Sequence, residues 1–183
     1  MTTCPLSINT GNFTRQLRHS HVTPGKLSGA EKIGNNFSTV SSFMRLGLTG
    51  ANVAHSVLGS SVMGWVTKKA HEVSGGKIPL WTTWMPKSGQ LPRKPHNTGT
   101  RPKIVYFPSC TTRMMGPAKG DYDERHLSSV MLDLCERAGY DVVIPKDLAK
   151  YCCGMPFESE GVFEVADKLA KDLEKCLLET SNN

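Results

Sequence analysis

Lys103-Ile104-Val105-Tyr106-Phe107-Pro108-Ser109-Cys110 and, further along, Tyr140-Asp141-Val142-Val143-Ile144-Pro145 are the two stretches on which the fold turns. Each is a short apolar run halted by proline, the pattern of a strand that ends in a loop. Between them Leu127, Val130, Met131, Leu134, Cys135 and Ala138 recur at spacings of three and four, which predicts a helix with one apolar face. That helix is expected to open in the acidic turn Asp121 to Glu124 and to stop at Gly139. Carboxylates favour the positive end of a helix dipole, and glycine favours the far end. Strand, helix and strand in this order predict a right-handed β-α-β unit with parallel strands.

Working outward, Val162, Val165, Ala166, Leu169, Leu173, Cys176 and Leu177 predict a last helix from Val162 to Leu178. Upstream, Ser74-Gly75-Gly76 opens a stretch containing Pro79, Pro86, Pro92, Pro95 and Pro102. Such a stretch cannot continue a helix or fill a central strand. Before it, Ala51 to Lys69 is the clearest helix, with Val53, Ala54, Val57, Leu58, Ser61, Val62, Trp65 and Val66 expected to form one buried stripe. Thr10 is a candidate N-cap for a short helix over Asn12 to Arg18. The expected organisation is a helical segment over 1–73, a Pro/Gly-rich linker or wrapping segment over 74–102, and a cysteine-rich module over 103–183. The fold class expected is α/β, a small β-α-β cysteine-rich module preceded by a mostly helical, loosely packed segment.

The chain has 183 residues, 7% aromatic, with 17 Gly and 11 Pro, so a large multidomain enzyme is excluded and the core must be mainly aliphatic. No apolar run approaches the roughly 18 residues that a spanning helix needs. The opening MTTCPLSINTGN has neither a basic start nor a continuous apolar stretch, so no secretory signal is expected and the cysteines should be reduced thiols or metal ligands. The compartment expected is cytoplasmic or mitochondrial, with any membrane contact peripheral and indirect. Charge is divided unevenly. Residues 1–102 hold 12 Lys/Arg against only Glu31 and Glu72, whereas 103–183 hold 10 against 14 acids. A basic, acid-poor half suits anionic lipid, nucleic acid or a transit peptide, and by itself selects none of them.

Six cysteines carry the chemical signal: Cys4, Cys110, Cys135, Cys152, Cys153 and Cys176. Tyr151-Cys152-Cys153-Gly154 is the strongest local feature. Adjacent cysteines rarely bond to each other without strain. As thiolates they are soft ligands suited to an iron–sulfur cluster or zinc, and the following glycine lets the backbone turn sharply beside an inorganic group. Two buried small side chains are the bland alternative. Cys110 lies just past the carboxyl end of a parallel strand, where ligands gather in open α/β sheets, so it is expected to converge with the Cys152/Cys153 pair. Cys135 and Cys176 fall on apolar helix stripes and read as core. Cys4-Pro5 would fit the end of a ferredoxin-type run. The histidines form no constellation, and no Gly-x-Gly-x-x-Gly, Walker or Gly-x-Ser-x-Gly pattern occurs. Trp81 and Trp84 beside Lys87 more often pack on their own domain than stack on bases, and nucleic acid is not the favoured partner.

Pro108-Ser109-Cys110 followed by Cys152-Cys153-Gly154-Met155-Pro156-Phe157-Glu158-Ser159-Glu160-Gly161 resembles the cysteine-rich CCG domain of FAD-linked D-lactate dehydrogenases, glycolate oxidase iron–sulfur subunits and heterodisulfide reductase. Cys4-Pro5-Leu6-Ser7-Ile8-Asn9-Thr10-Gly11 resembles the end of the ferredoxin-type cluster motif that precedes that domain in the long D-lactate dehydrogenase relatives. The resemblance implies a 4Fe-4S cluster with Cys110, Cys152 and Cys153 as thiolate ligands and Gly154 beside them, and Cys4 as a ligand of the preceding motif. It implies a further ligand from outside this sequence, and FAD carried by a missing or partner flavoprotein domain. The family pattern also has a flavin domain, earlier ferredoxin cysteines and a closing cysteine pair that this sequence lacks, so the chain is expected to be a piece of a longer 2-hydroxy-acid oxidoreductase. By that reading it passes electrons from the flavin towards an acceptor and has no catalytic residue of its own. Two other readings fit the residues: a non-catalytic basic interaction module, and a zinc-binding module closed by four ligands.

Overall fold

The computed structural model describes residues 9–118 and 120–181. Three helices come first: α1 (Thr10–Ser20), α2 (Pro24–Asn35) and α3 (Phe37–Val73). After a connection come the short strands β1 (Pro86–Ser88) and β2 (Lys103–Val105), the short helix α4 (Cys110–Met114) and β3 (Met115–Ala118). The helix α5 (Leu127–Arg137), the strand β4 (Asp141–Val143), a 3₁₀ turn (Leu148–Lys150), α6 (Met155–Ser159) and α7 (Phe163–Ser181) complete the order. The protein is thus mixed α/β, mostly helical with little strand. The chain divides into two compact units, one of residues 1–40 with 144–183 and one of 41–143. No described helix is long and apolar enough to cross a membrane.

In the 41–143 unit, β2 and β4 pair in parallel, Lys103 with Asp141, Ile104 with Val142 and Val105 with Val143, with α5 between them in sequence. The expected strand, helix and strand are all present. Leu132 on α5 and Val142 on β4 are fully buried and anchor this layer. The helix does not open in the acidic turn. It starts at Leu127 with His126 as N-cap, because Asp123 is bonded to Arg125 and Glu124 to Lys87 in the loop ahead of it.

The proline-rich stretch is strapped down by polar contacts, and Pro86–Ser88 pairs antiparallel with Met115–Ala118, a pairing that the prolines had concealed. Arg93 reaches Asp133 at 2.7 Å and Glu136 at 2.9 and 3.0 Å. The backbone N–H of His96 donates to Glu136 at 2.9 Å. Asn97 uses its amide as one more rung beside β4, accepting from the N–H of Val142 at 2.9 Å and donating to its carbonyl at 2.8 Å. Asp141 is 1% exposed and accepts from the N–H groups of Thr98 and Gly99 at 2.9 and 2.7 Å. Those backbone donors, Thr98 first, hold its carboxyl below the usual range. A buried carboxylate persists only with such partners.

Helix α3 departs most from expectation. It begins at Phe37, well ahead of Ala51, and Gly59 interrupts it with φ 76° and ψ 170°. The stripe expected to be buried is exposed: Val53 at 59%, Val57 at 77% and Trp65 at 64%. Periodicity identifies the apolar face of a helix, and burial additionally requires an element to lie over it. Residues after α3 cover a different side. The N–H of Trp81 donates to Thr67 Oγ1 at 3.1 Å, and its ring lies 5.0 Å from that of His55.

In the other unit, α7 supplies the core through Val165, Ala166, Leu169, Leu173 and Cys176, as its spacing predicts. Helix α1 is capped by Asn9 rather than Thr10, its side chain accepting from the N–H of Asn12 at 3.0 Å. Arg15 pairs with Glu158 at 2.6 Å and His19 Nδ1 bonds the Gly161 carbonyl at 2.7 Å, with the His19 ring stacked on Phe163. Gly161 is required at this meeting, since a Cβ there would stand 2.4 Å from the His19 backbone nitrogen. Both partners of the Arg15 pair are more than a third exposed. Arg15→Ala should therefore lower the unfolding free energy by only about 0.5 kcal/mol in urea titration.

Candidate metal centre

The Tyr151–Gly154 loop is shaped by what lies on either side of it. Asp147 adopts a left-handed conformation before the 3₁₀ turn, Tyr151 returns to extended backbone, and Gly154 has φ 81° as N-cap of α6. A Cβ on Gly154 would sit 2.4 Å from the Ala166 carbonyl oxygen, so α7 presses directly on this turn. Only glycine meets both the φ and the spacing. Pro156 at the start of α6 fits, because no N–H is needed there.

Burial alternates along the loop: Tyr151 half-buried, Cys152 at 0% exposure and Cys153 exposed. Successive side chains on extended backbone face opposite sides. Cys152 therefore faces inward and Cys153 outward. Cys152 lines a groove of about 430 Å³ with Lys150, Tyr151, Lys168, Lys175 and Cys176. Tyr151 shares this groove with Cys176, and the neighbouring Cys176 thiol first, with burial second, pushes the phenol pKa up. Cys176 is buried as its helix stripe implied, and its contact with the cysteine loop was hidden because the two are separated in sequence.

Cys110 belongs to the 41–143 unit, where it is 6% exposed and opens α4 just beyond β2. This is the strand-end position the sequence indicated. Ser109 caps the turn, accepting from the N–H of Thr112 at 3.1 Å. Arg113 on the same helix is 4% exposed, its guanidinium 5.2 Å from the Phe107 ring centroid and its Nε bonded to the Ser109 carbonyl. A buried cation beside a cysteine is a feature the sequence reading missed. Its only trace there was an arginine three residues after Cys110, the spacing of one helical turn.

The structure thus keeps Cys152, Cys153 and Gly154 in one loop and Cys110 in the other unit, while Cys4 lies outside the described residues. Among the described residues no three His, Cys, Asp or Glu side chains are grouped to hold a metal ion. Two of the cysteines expected as ligands, Cys110 and Cys152, are buried, and they belong to different units. The described residues do not close a ligand set on their own. Comparison with protein-family models, with curated proteins and with solved structures finds no match.

Proposed function

We propose that this chain is the iron–sulfur electron-transfer portion of an FAD-linked D-lactate dehydrogenase-like oxidoreductase acting on a 2-hydroxy acid. Cys110, Cys152 and Cys153 would hold a 4Fe-4S cluster with a further ligand from another segment or subunit, and a flavoprotein carrying FAD would be the electron donor. The observation that carries the reading is the glycine turn at Gly154, locked against α7 directly after two cysteines. The turn gives the cysteine loop a rigid support, which ligation needs, with Cys152 facing inward and Cys153 outward. The buried Cys110 at the end of a parallel strand supports it as well.

A bound cluster would supply a one-electron carrier whose potential depends on nearby charge, hydrogen bonding and exposure. The chain's own residues would set those quantities. Arg113 contributes fixed positive charge near Cys110, which favours the more negative, reduced state of a neighbouring group. Cys152 is screened from water, and α7 limits movement of the Cys152–Gly154 turn.

Anaerobic reconstitution of the purified chain with ferrous iron and sulfide tests the proposal. A broad visible absorption with stoichiometric iron and sulfide is expected, lost in Cys152→Ser/Cys153→Ser and retained in Cys135→Ser. No chromophore in the parent chain, or one indifferent to the double substitution, rejects it. Stoichiometric zinc with a colourless protein would establish the zinc reading instead.

A further inference from the structure

Helix α1 docks through its basic face and leaves its apolar side chains in water. Phe13 and Leu17 stand one turn apart on one face and are 63 and 51% exposed. Arg15, Arg18 and His19 lie about half a turn round the helix from them, and this is the face that meets the rest of the unit. Arg15 reaches the Glu158 carboxylate at 2.6 Å, Arg18 donates to the Ser159 carbonyl at 2.5 Å, and His19 Nδ1 donates to the Gly161 carbonyl at 2.7 Å. The His19 ring stacks on Phe163 with centroids 4.7 Å apart. No residue of α1 is buried, and Arg15 alone along it is half-buried. Helix α2 is held differently. It buries Ala30 and Gly34, and a Cβ on Gly34 would come 3.1 Å from the Val165 side chain of α7.

Charge and hydrogen bonding on a wet surface therefore do for α1 what apolar packing does for α2. The Arg15 and Glu158 side chains are 35 and 43% exposed, so salt reaches the pair. Screening weakens such contacts, the Debye length falling from about 10 Å at 0.1 M to about 3 Å at 1 M. Residues 1–30 contain no Asp or Glu, so a carboxylate for Arg15 has to come from elsewhere in the fold. Helix α1 has 11 residues, and an isolated helix shorter than about 12–15 residues is marginal in water. Once detached, it unwinds.

We propose that α1 is a releasable strap on the Glu158–Gly161 turn, which rising ionic strength detaches and unwinds while α2 and α7 stay packed. Detachment returns Glu158 and the Ser159 and Gly161 carbonyls to water, at the far end of the short helix that follows Cys152 and Cys153. The strap requires no metal, so it stands or falls separately from the iron–sulfur reading.

Hydrogen exchange of the full chain, read by mass spectrometry on peptides covering α1 and α7, tests the proposal at about 0.05 M and about 1 M sodium chloride. Exchange along α1 is expected to speed up by about tenfold or more at the higher salt while α7 keeps its protection, the signature of local rather than global opening. Glu158→Gln, at an exposed position, should raise α1 exchange several-fold at low salt and flatten its salt dependence, again with α7 protected. Three results would each overturn the proposal: α1 exchange that is the same at both salt concentrations, whether fast or slow; α7 exchanging in step with α1 in either chain; or a Glu158→Gln chain in which α1 keeps the parent's protection and salt dependence.

Discussion

Gly154→Ala should destabilise the unit built from the chain's two ends by about 3 kcal/mol or more, combining the left-handed penalty for a residue with a Cβ and the cost of overpacking. The added carbon would stand 2.4 Å from the Ala166 carbonyl oxygen and 3.0 Å from its Cα and carbonyl carbon. None of these atoms is the flexible end of a side chain, so relief requires the turn to leave α7 or α7 to shift. A urea titration read by circular dichroism measures the loss. A midpoint equal to that of the parent would show that the turn is free of α7 in solution, and would remove the main support for a rigid cysteine loop. Because Cys152 and Cys153 directly precede this glycine, cluster reconstitution should fall with stability in the same variant.

Arg93→Met should cost about 2 kcal/mol near neutral pH, since it removes charge-assisted hydrogen bonds and leaves a carboxylate short of partners. Glu136 is the carboxylate that loses most, being 16% exposed at its side chain. The Arg93 guanidinium first, and the His96 N–H second, hold its pKa down to about 2 from an ordinary 4.5. A pKa depressed by folding means that the stabilisation is complete above about 4.5 and fades as pH falls towards 2. The parent and Arg93→Met should therefore differ most in urea midpoint at neutral pH and converge between pH 4.5 and 2. A constant difference across that window would mean that Arg93 acts through packing of its stem rather than through Glu136.

The β-α-β order was legible because each of its parts carries a local signal: two proline-stopped apolar runs and a helix with clear period. The last helix was legible for the same reason, and its stripe of Val165, Ala166, Leu169, Leu173 and Cys176 is buried as read. The β1–β3 pairing was not, because a three-residue strand beginning at Pro86 has no periodicity to detect. The start of α5 was misplaced because Asp123 and Glu124 are engaged by Arg125 and Lys87, and an acidic turn signals a helix start only when its carboxylates have no stronger partner. Of the candidate site, the sequence indicated the cysteine positions and the tight glycine turn. The inward and outward division of Cys152 and Cys153, the Tyr151–Cys176 contact and the buried Arg113 depend on neighbours that local pattern does not name.

By itself the sequence determined which helix faces are apolar and the order of strand, helix and strand, since these follow from side-chain chemistry and the 3.6- and 2-residue periods of the backbone. Only the tertiary structure decided which of those faces are covered. The apolar rows of α3 and α7 look alike in one dimension, yet one is left in water and the other forms a core, because burial depends on a second surface arriving from elsewhere in the chain.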